Sequence, residues 1–267
     1  MEKTVSKLLG LPELASKHGA DVDKLIIYVH YLMLVLFVGW AAYFLYCLVR
    51  FRKARNPKAD HHGVTGHASN YLEIAIAIVE VILLVGFAVP LWAKVVDDFP
   101  KPEDNPLNIR VTARQFNWMV RYPGADNKFG QQDVTLVSAD NPLGLLQKSD
   151  KHKAQDKEGA DDVSVESGEI AVPVNRPVVA SISSLDVIHS FKVLPLRVTQ
   201  DAIPGLRIPL HFIATEVPKD GKAFQINCAQ LCGNGHSNMK GILYVKTQAD
   251  FEEWLKKKSA NSNQSLE

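Results

Sequence analysis

Four side chains that bind soft metals fall within twelve residues, Cys228, Cys232, His236 and Met239, spaced C-x3-C-x3-H-x2-M. Two thiolates, an imidazole and a thioether suit copper, because soft sulfur ligands and a weak axial thioether mark copper electron-transfer sites. A blue-copper site takes one Cys, two His and a Met, so the second cysteine is surplus to that design. Two thiolates in one loop can instead bridge two copper ions, and the chemistry this predicts is redox.

Such a loop needs a frame. Phe224, Ile226 and Cys228 alternate with Gln225 and Asn227 as in a half-buried strand, and Gly241 to Val245 reads as a second strand after the loop. A dinuclear centre needs a further histidine from another strand end. His189 is the best candidate, since it follows the Val- and Ile-containing run Pro177 to Ser184. The residues alone leave two other readings open. A disulfide between Cys228 and Cys232 gives His236 and Met239 no reason to be there, and a Cys2His2 zinc site with His189 leaves Met239 unused.

Three segments together, Asp186-Val-Ile-His189-Ser, Asp201-Ala-Ile-Pro-Gly205 and Cys228-x3-Cys232-Gly-x2-His236-Ser-x-Met239, resemble subunit II of cytochrome c oxidase, in particular its CuA domain. The resemblance spans most of the chain. It implies a dinuclear copper centre in which Cys228 and Cys232 bridge the ions and His189 and His236 each ligate one. Met239 and the backbone carbonyl of Gln230 would be weak ligands, one to each ion. It also implies a role in electron transfer, in which electrons arrive from cytochrome c or a linked haem protein and pass to haem in subunit I, where oxygen is reduced to water and protons are pumped. The implied partners are subunit I, other oxidase subunits, a haem-c donor and membrane lipid, with no nucleic acid. The chain lacks C-x-x-C-H, so it is not expected to carry haem itself. Another respiratory complex, such as a nitric or nitrous oxide reductase, is the alternative, but the nitrous oxide enzyme needs a large His-rich copper domain for which 267 residues leave no room.

The sequence departs from the family at three places, the third being helix two, where the family's Leu-Glu-x-x-Trp-Thr-x-x-Pro is matched by Leu72, Glu73, Ile76, Ala77 and Glu80. Many relatives carry Glu at the position of Gln230, whose carboxylate helps to bind magnesium near subunit I. Gln keeps the carbonyl and loses the hard anionic ligand, which puts a magnesium or manganese ion at that boundary in doubt. The family's Gln-Trp-x-Trp element reads Gln115-Phe116-Asn117-Trp118, so the resemblance offers Phe116 and Trp118 as the place where electrons enter, against plain core packing. In the second apolar stretch Glu73 resembles the acid at the mouth of a proton channel into subunit I, against an interfacial carboxylate just inside the headgroups. Glu80 lies deeper, where a lipid-facing charge is costly, so it should face another subunit or be protonated.

Net charge +1 and 46% hydrophobic residues describe an ordinary soluble protein. The distribution contradicts that average. Leu25 to Val49 has no Asp, Glu, Lys or Arg and reaches about 37 Å as a helix, while Tyr71 to Ala93, interrupted by Glu73, Glu80 and Pro90, reaches about 34 Å. The first stretch is too long, and too far behind a polar tail, for a secretory signal and is read as retained. Arg50, Arg52, Lys53, Arg55 and Lys58 place the loop at about 51–70 on the cytoplasmic side. Residues 1–24 then form an external tail, 25–94 a transmembrane hairpin and 95–257 an external domain, in a bacterial plasma membrane. In the tail, Leu8, Leu9, Leu11 and Leu14 suggest a short surface helix that Gly10 and Pro12 weaken.

The expected fold is therefore two N-terminal transmembrane helices followed by an all-β cupredoxin-like sandwich or barrel. Strands are expected at Ile109 to Ala113, Asp133 to Val137, Glu169 to Val172, Pro177 to Ser183 and Leu206 to Ile213. The polar stretch 147–168 reads as a solvated or partly disordered insertion. Thr247-x-x-Asp250 caps a helix carrying Phe251, Trp254 and Leu255, and 258–267 reads as a polar tail.

Overall fold

The uncharged run of the first apolar stretch becomes α2 (Gly19–Arg50) in the computed structural model, which describes residues 2–58, 61–62, 66–218 and 222–264. A short α1 (Glu2–Leu8) precedes it, stopped where Gly10 takes φ +68, so the expected surface helix forms N-terminal to the residues that break it. The second stretch is not one uniform helix. α3 (Ala68–Leu83) passes into a π-helical turn, Leu84–Ala88, and then into α4 (Val89–Val96). The cause is Pro90, which has no N–H for the carbonyl of Gly86 and whose ring needs room against that turn. Val89 N–H reaches back to the Leu84 carbonyl, and the widened turn absorbs the proline. Glu73 and Glu80 both sit on α3 with exposed side chains. Both long helices are apolar enough to cross a membrane, and none of the apolar window of either is buried within the chain. Part of the expected 51–70 loop lies outside the described residues.

Residues Pro12–Gly19 and Asp98–Glu267 form the second compact unit. Among the described residues it contains ten strands in two five-stranded sheets. The first comprises β1 (Leu107–Arg114), β2 (Asn117–Tyr122), β3 (Val163–Val165), β5 (Pro177–Ser184) and β8 (Ile208–Ile213), in the order β3-β2-β1-β5-β8. The second comprises β4 (Glu169–Pro173), β6 (His189–Val193), β7 (Val198–Ala202), β9 (Phe224–Cys228) and β10 (Lys240–Lys246), in the order β4-β10-β9-β6-β7. The alternation of β1 sends Ile109, Val111 and Ala113 into the core and leaves Arg110, Thr112 and Arg114 outside it. Trp118, Ile170, Ile182, Phe191, Ile226 and Leu243 fill the space between the sheets. Each such side chain contributes about 1.5–3 kcal/mol by leaving water. The expected sandwich is what the chain forms.

Three expectations are corrected. Asp133 to Val137 is not a strand, because the Asp133 carboxylate accepts the Thr135 N–H at 2.8 Å and turns the chain into a 3-10 turn at Val134–Leu136. The polar insertion 147–168 is anchored in part rather than wholly solvated. Its Asp162 forms a buried ion pair with Arg121 of β2 and accepts from Gly130 N–H at 2.9 Å, while Asp156 accepts from Gln131 N–H at 3.0 Å. Its last residues supply β3, which pairs with β2. Third, α5 (Gln248–Gln264) continues into the expected polar tail, since Lys258 pairs with Glu169 and Lys257 with Glu253 at 2.6 Å beyond the buried Phe251. Its start is as expected, Thr247 Oγ1 accepting the Asp250 N–H at 3.2 Å. Beyond these corrections, residues of the N-terminal stretch are hydrogen-bonded into the β unit. Ala15 N–H donates to the Pro195 carbonyl, Thr215 N–H to the Ala15 carbonyl (both 2.9 Å), and Ser16 Oγ to the Leu196 carbonyl at 2.6 Å. Ala15 is fully buried in the β core.

Candidate metal centre

Three adjacent strands of the second sheet, β6, β9 and β10, bring the ligand candidates to one edge. His189 opens β6, Cys228 closes β9, and Met239 immediately precedes β10, so three of the side chains are fixed by strand ends. Two backbone bonds close the edge, Cys228 N–H to the Met239 carbonyl at 3.3 Å and Ala229 N–H to the Ser190 carbonyl at 2.9 Å. Cys232 hangs in the loop between them, and His236 begins a 3-10 turn, His236–Asn238. The loop turns sharply at Gly233, where φ is +131 and a Cβ would come within 2.7 Å of Gln115 Nε2. Only glycine fits there.

The donor atoms form a continuous chain. Cys228 Sγ is 3.7 Å from Cys232 Sγ, 3.9 Å from His189 Nδ1 and 3.1 Å from the carbonyl oxygen of Gln230. Cys232 Sγ is 3.6 Å from His236 Nδ1 and 3.8 Å from Met239 Sδ. Each sulfur of the thiol pair thus has its own imidazole nitrogen and its own weak donor, and His189, Cys228 and Cys232 lie close enough to hold one ion. Both cysteines are free. His189 is fully buried, as are Met239 and Cys232 to within a few per cent. Burial, then the neighbouring Cys228 thiol, pushes the Cys232 thiol up to about 11. A cation replacing its proton removes that penalty.

Two residues that the sequence did not single out as part of the site complete it. Asp186 Oδ1 meets His189 Nε2 at 2.9 Å, which puts the proton on Nε2 and leaves the Nδ1 lone pair facing the thiols. Burial raises the Asp186 carboxyl, but N–H donation from Gln115 and Val187 and the His189 bond outweigh it and hold it below the usual carboxylate range. Gln115 is the second: its backbone N–H donates to Asp186 at 2.7 Å and its side chain to the Cys232 carbonyl at 2.6 Å. The signal for Asp186 is its place three residues before His189; for Gln115 it is only the Gln-x-x-Trp element, which does not point to a loop over 100 residues away.

Phe116 and Trp118 differ. Trp118 is fully buried, its ring 6.2 Å from His189 and 5.4 Å from Phe191, and its Nε1 has no partner among the described residues. Phe116 is 40% exposed and lies against the loop so closely that a Cβ at Gly235 would meet its ring at 2.5 Å. Gln230 turns its side chain to solvent. Glu73 belongs to the helical unit.

Residues 107–245 match the family model for the periplasmic domain of cytochrome c oxidase subunit II. The chain belongs to that family. It is similar to the alternative cytochrome c oxidase subunit 2 of Bradyrhizobium diazoefficiens, 29% identical over 221 residues, covering 82% of this chain and 74% of that protein. The cytochrome c oxidase subunit 2 of a Synechocystis species is 26% identical over 253 residues, 92% of this chain and 74% of the other. The crystal structure of the periplasmic domain of subunit II of cytochrome oxidase from Bradyrhizobium japonicum aligns at 25% identity and TM-score 0.40, covering 58% of this chain and 94% of that one. Membership makes this chain a subunit of cytochrome c oxidase, an oxidoreductase complex, and its two long apolar helices anchor it in a membrane.

Proposed function

We propose that the chain holds a dinuclear CuA centre and is the electron inlet of its oxidase. The observation that carries this is the pairing of two thiols 3.7 Å apart with one imidazole and one weak donor for each. Cys228 and Cys232 would be the shared thiolate ligands of the pair, His189 and His236 its imidazole ligands, and Met239 and the Gln230 carbonyl its weak ligands. This set fits a copper pair better than one zinc ion, which would leave the Met239 thioether and the Gln230 carbonyl without a role. When bound, a copper pair supplies a one-electron carrier between haem proteins. The protein's part is rigidity: strand ends fix His189, Cys228 and Met239, Asp186 sets the His189 ring, and the buried surroundings of Cys232 exclude water.

A copper pair held there would supply one-electron transfer from cytochrome c or a linked haem domain, with the exposed Phe116 as the place of entry, to haem in subunit I, where oxygen would become water as protons are pumped. Glu73 serves as the acid at a proton channel of subunit I. The β unit faces the periplasm of a bacterial inner membrane. The amide of Gln230 is a poor magnesium or manganese ligand, so no hard cation is assigned at the subunit boundary. Copper analysis and electron paramagnetic resonance of the purified full chain test the reading. Two coppers per chain with a delocalised mixed-valence signal and a purple colour are expected. One copper with a blue spectrum, or tight zinc without copper uptake, would overturn it.

A further inference from the structure

The face of β1 and β5 turned away from the core carries Arg110, Thr112, Ser181 and Ser183, brought level by the register that sets Arg110 beside Ser181 and Thr112 beside Ser183. Arg207, just before β8, and Gln132 close the same recess, with Gln132 Oε1 accepting from Arg207 Nη2 at 3.1 Å. The recess has a volume of about 340 Å³, in the range of small-molecule sites. Val137, Leu143 and Leu206 give it an apolar wall.

Its electrostatics are one-sided. Arg110 is held with its guanidinium 4.2 Å from the centre of the Phe129 ring. Burial, then the like charges of Arg207 and Arg121, push its pKa down to about 10. Arg121, the cross-strand neighbour of Arg110, has Asp162 as its counterion. Among the described residues neither Arg110 nor Arg207 forms an ion pair, and no carboxylate lines the recess. Two cations, three hydroxyls and an amide share one recess without an anion, whereas the neighbouring buried arginine is neutralised.

We propose that this recess is a binding site for a phosphate-bearing ligand with a short apolar portion. The guanidinium groups of Arg110 and Arg207 match phosphate oxygens in charge and fork geometry. The hydroxyls of Thr112, Ser181 and Ser183 donate to the remaining oxygens, and the apolar wall takes the carbon part. A lipid headgroup and a free organophosphate share this chemistry. The site uses none of the metal-ligand candidates and stands whether or not copper is bound.

The test is calorimetric titration of the purified full chain in neutral detergent with inorganic phosphate, glycerol 3-phosphate and dihexanoyl phosphatidic acid, with dihexanoyl glycerol as the phosphate-free probe. The phosphate compounds should compete for one site and dihexanoyl glycerol should not. Preference for phosphatidic acid identifies a lipid as the source, and equal binding of glycerol 3-phosphate identifies a free organophosphate. Arg207→Gln, at an exposed side chain, should weaken binding about tenfold or more, as loss of a charged hydrogen-bond partner does. Ser181→Ala should weaken it less. Circular dichroism melting checks that the variants fold, and Ser181→Ala remains a reading should Arg207→Gln fail to do so. Absence of binding by every phosphate compound, equal binding of dihexanoyl glycerol, or unchanged affinity in both Arg207→Gln and Ser181→Ala would overturn the proposal.

Discussion

At the scale of single residues the metal loop divides into groups that build the centre and groups that tune it. Cys228→Ser or Cys232→Ser removes one of two sulfurs only 3.7 Å apart, and the dinuclear spectrum should disappear. Met239→Leu removes a thioether that approaches only Cys232, and should mainly shift the potential and the transfer rate. Equal spectral collapse in all three variants would show this division to be wrong. Asp186 belongs to a further group, since it touches no candidate ligand except the far nitrogen of His189. Asp186→Asn should lower copper affinity about 10- to 100-fold, the usual cost of losing such an orienting partner, while secondary structure by circular dichroism stays unchanged. Copper affinity equal to that of the wild type would remove Asp186 from the site.

At the scale of elements, polar composition misleads where charge is used inside. Arg121 and Asp162 have 2% and 3% of their side-chain surface exposed, so Asp162→Ala leaves a buried guanidinium without its counterion. The expected loss is about 3–5 kcal/mol of stability by urea unfolding; a loss under about 1 kcal/mol, the worth of a surface pair, would mean that the 147–168 segment is dispensable packing. The strands of the sandwich are legible because alternation reports a half-buried sheet directly, as Ile109, Val111 and Ala113 do. The metal loop is legible because its donors are close in sequence. His189 requires another strand end, and Gln115 stands out only as the first residue of the Gln-x-x-Trp element, since nothing in a polar side chain tells which distant carbonyl it will meet. The run from Asp133 departs from its expected strand for a related reason: a local carboxylate-to-backbone bond competes with strand pairing and wins when no neighbour covers Val134, which is 81% exposed.

At the scale of the whole molecule, Pro12–Gly19 belongs with the β unit although the long helices separate it in sequence from every strand. Ala15 sits in the core with no exposed surface, so Ala15→Glu should bury an unpaired carboxylate and lower the thermal midpoint of the β unit in the full chain, followed by near-ultraviolet circular dichroism. An unchanged midpoint would mean that this stretch is loosely held. The contact between Ser16 and Leu196 spans 180 residues, and it constrains more than stability. A segment from before the first long helix and the sheets from after the second share one hydrogen-bonded body, so both lie on one side of whatever those helices cross. The number of crossings between them is therefore even, a parity that holds independently of any count of lysines and arginines in the loop. It also sets a sequence of events in synthesis: the stretch around Ser16 is made first, yet it must wait for residues near 196 and 213–215 before it can dock.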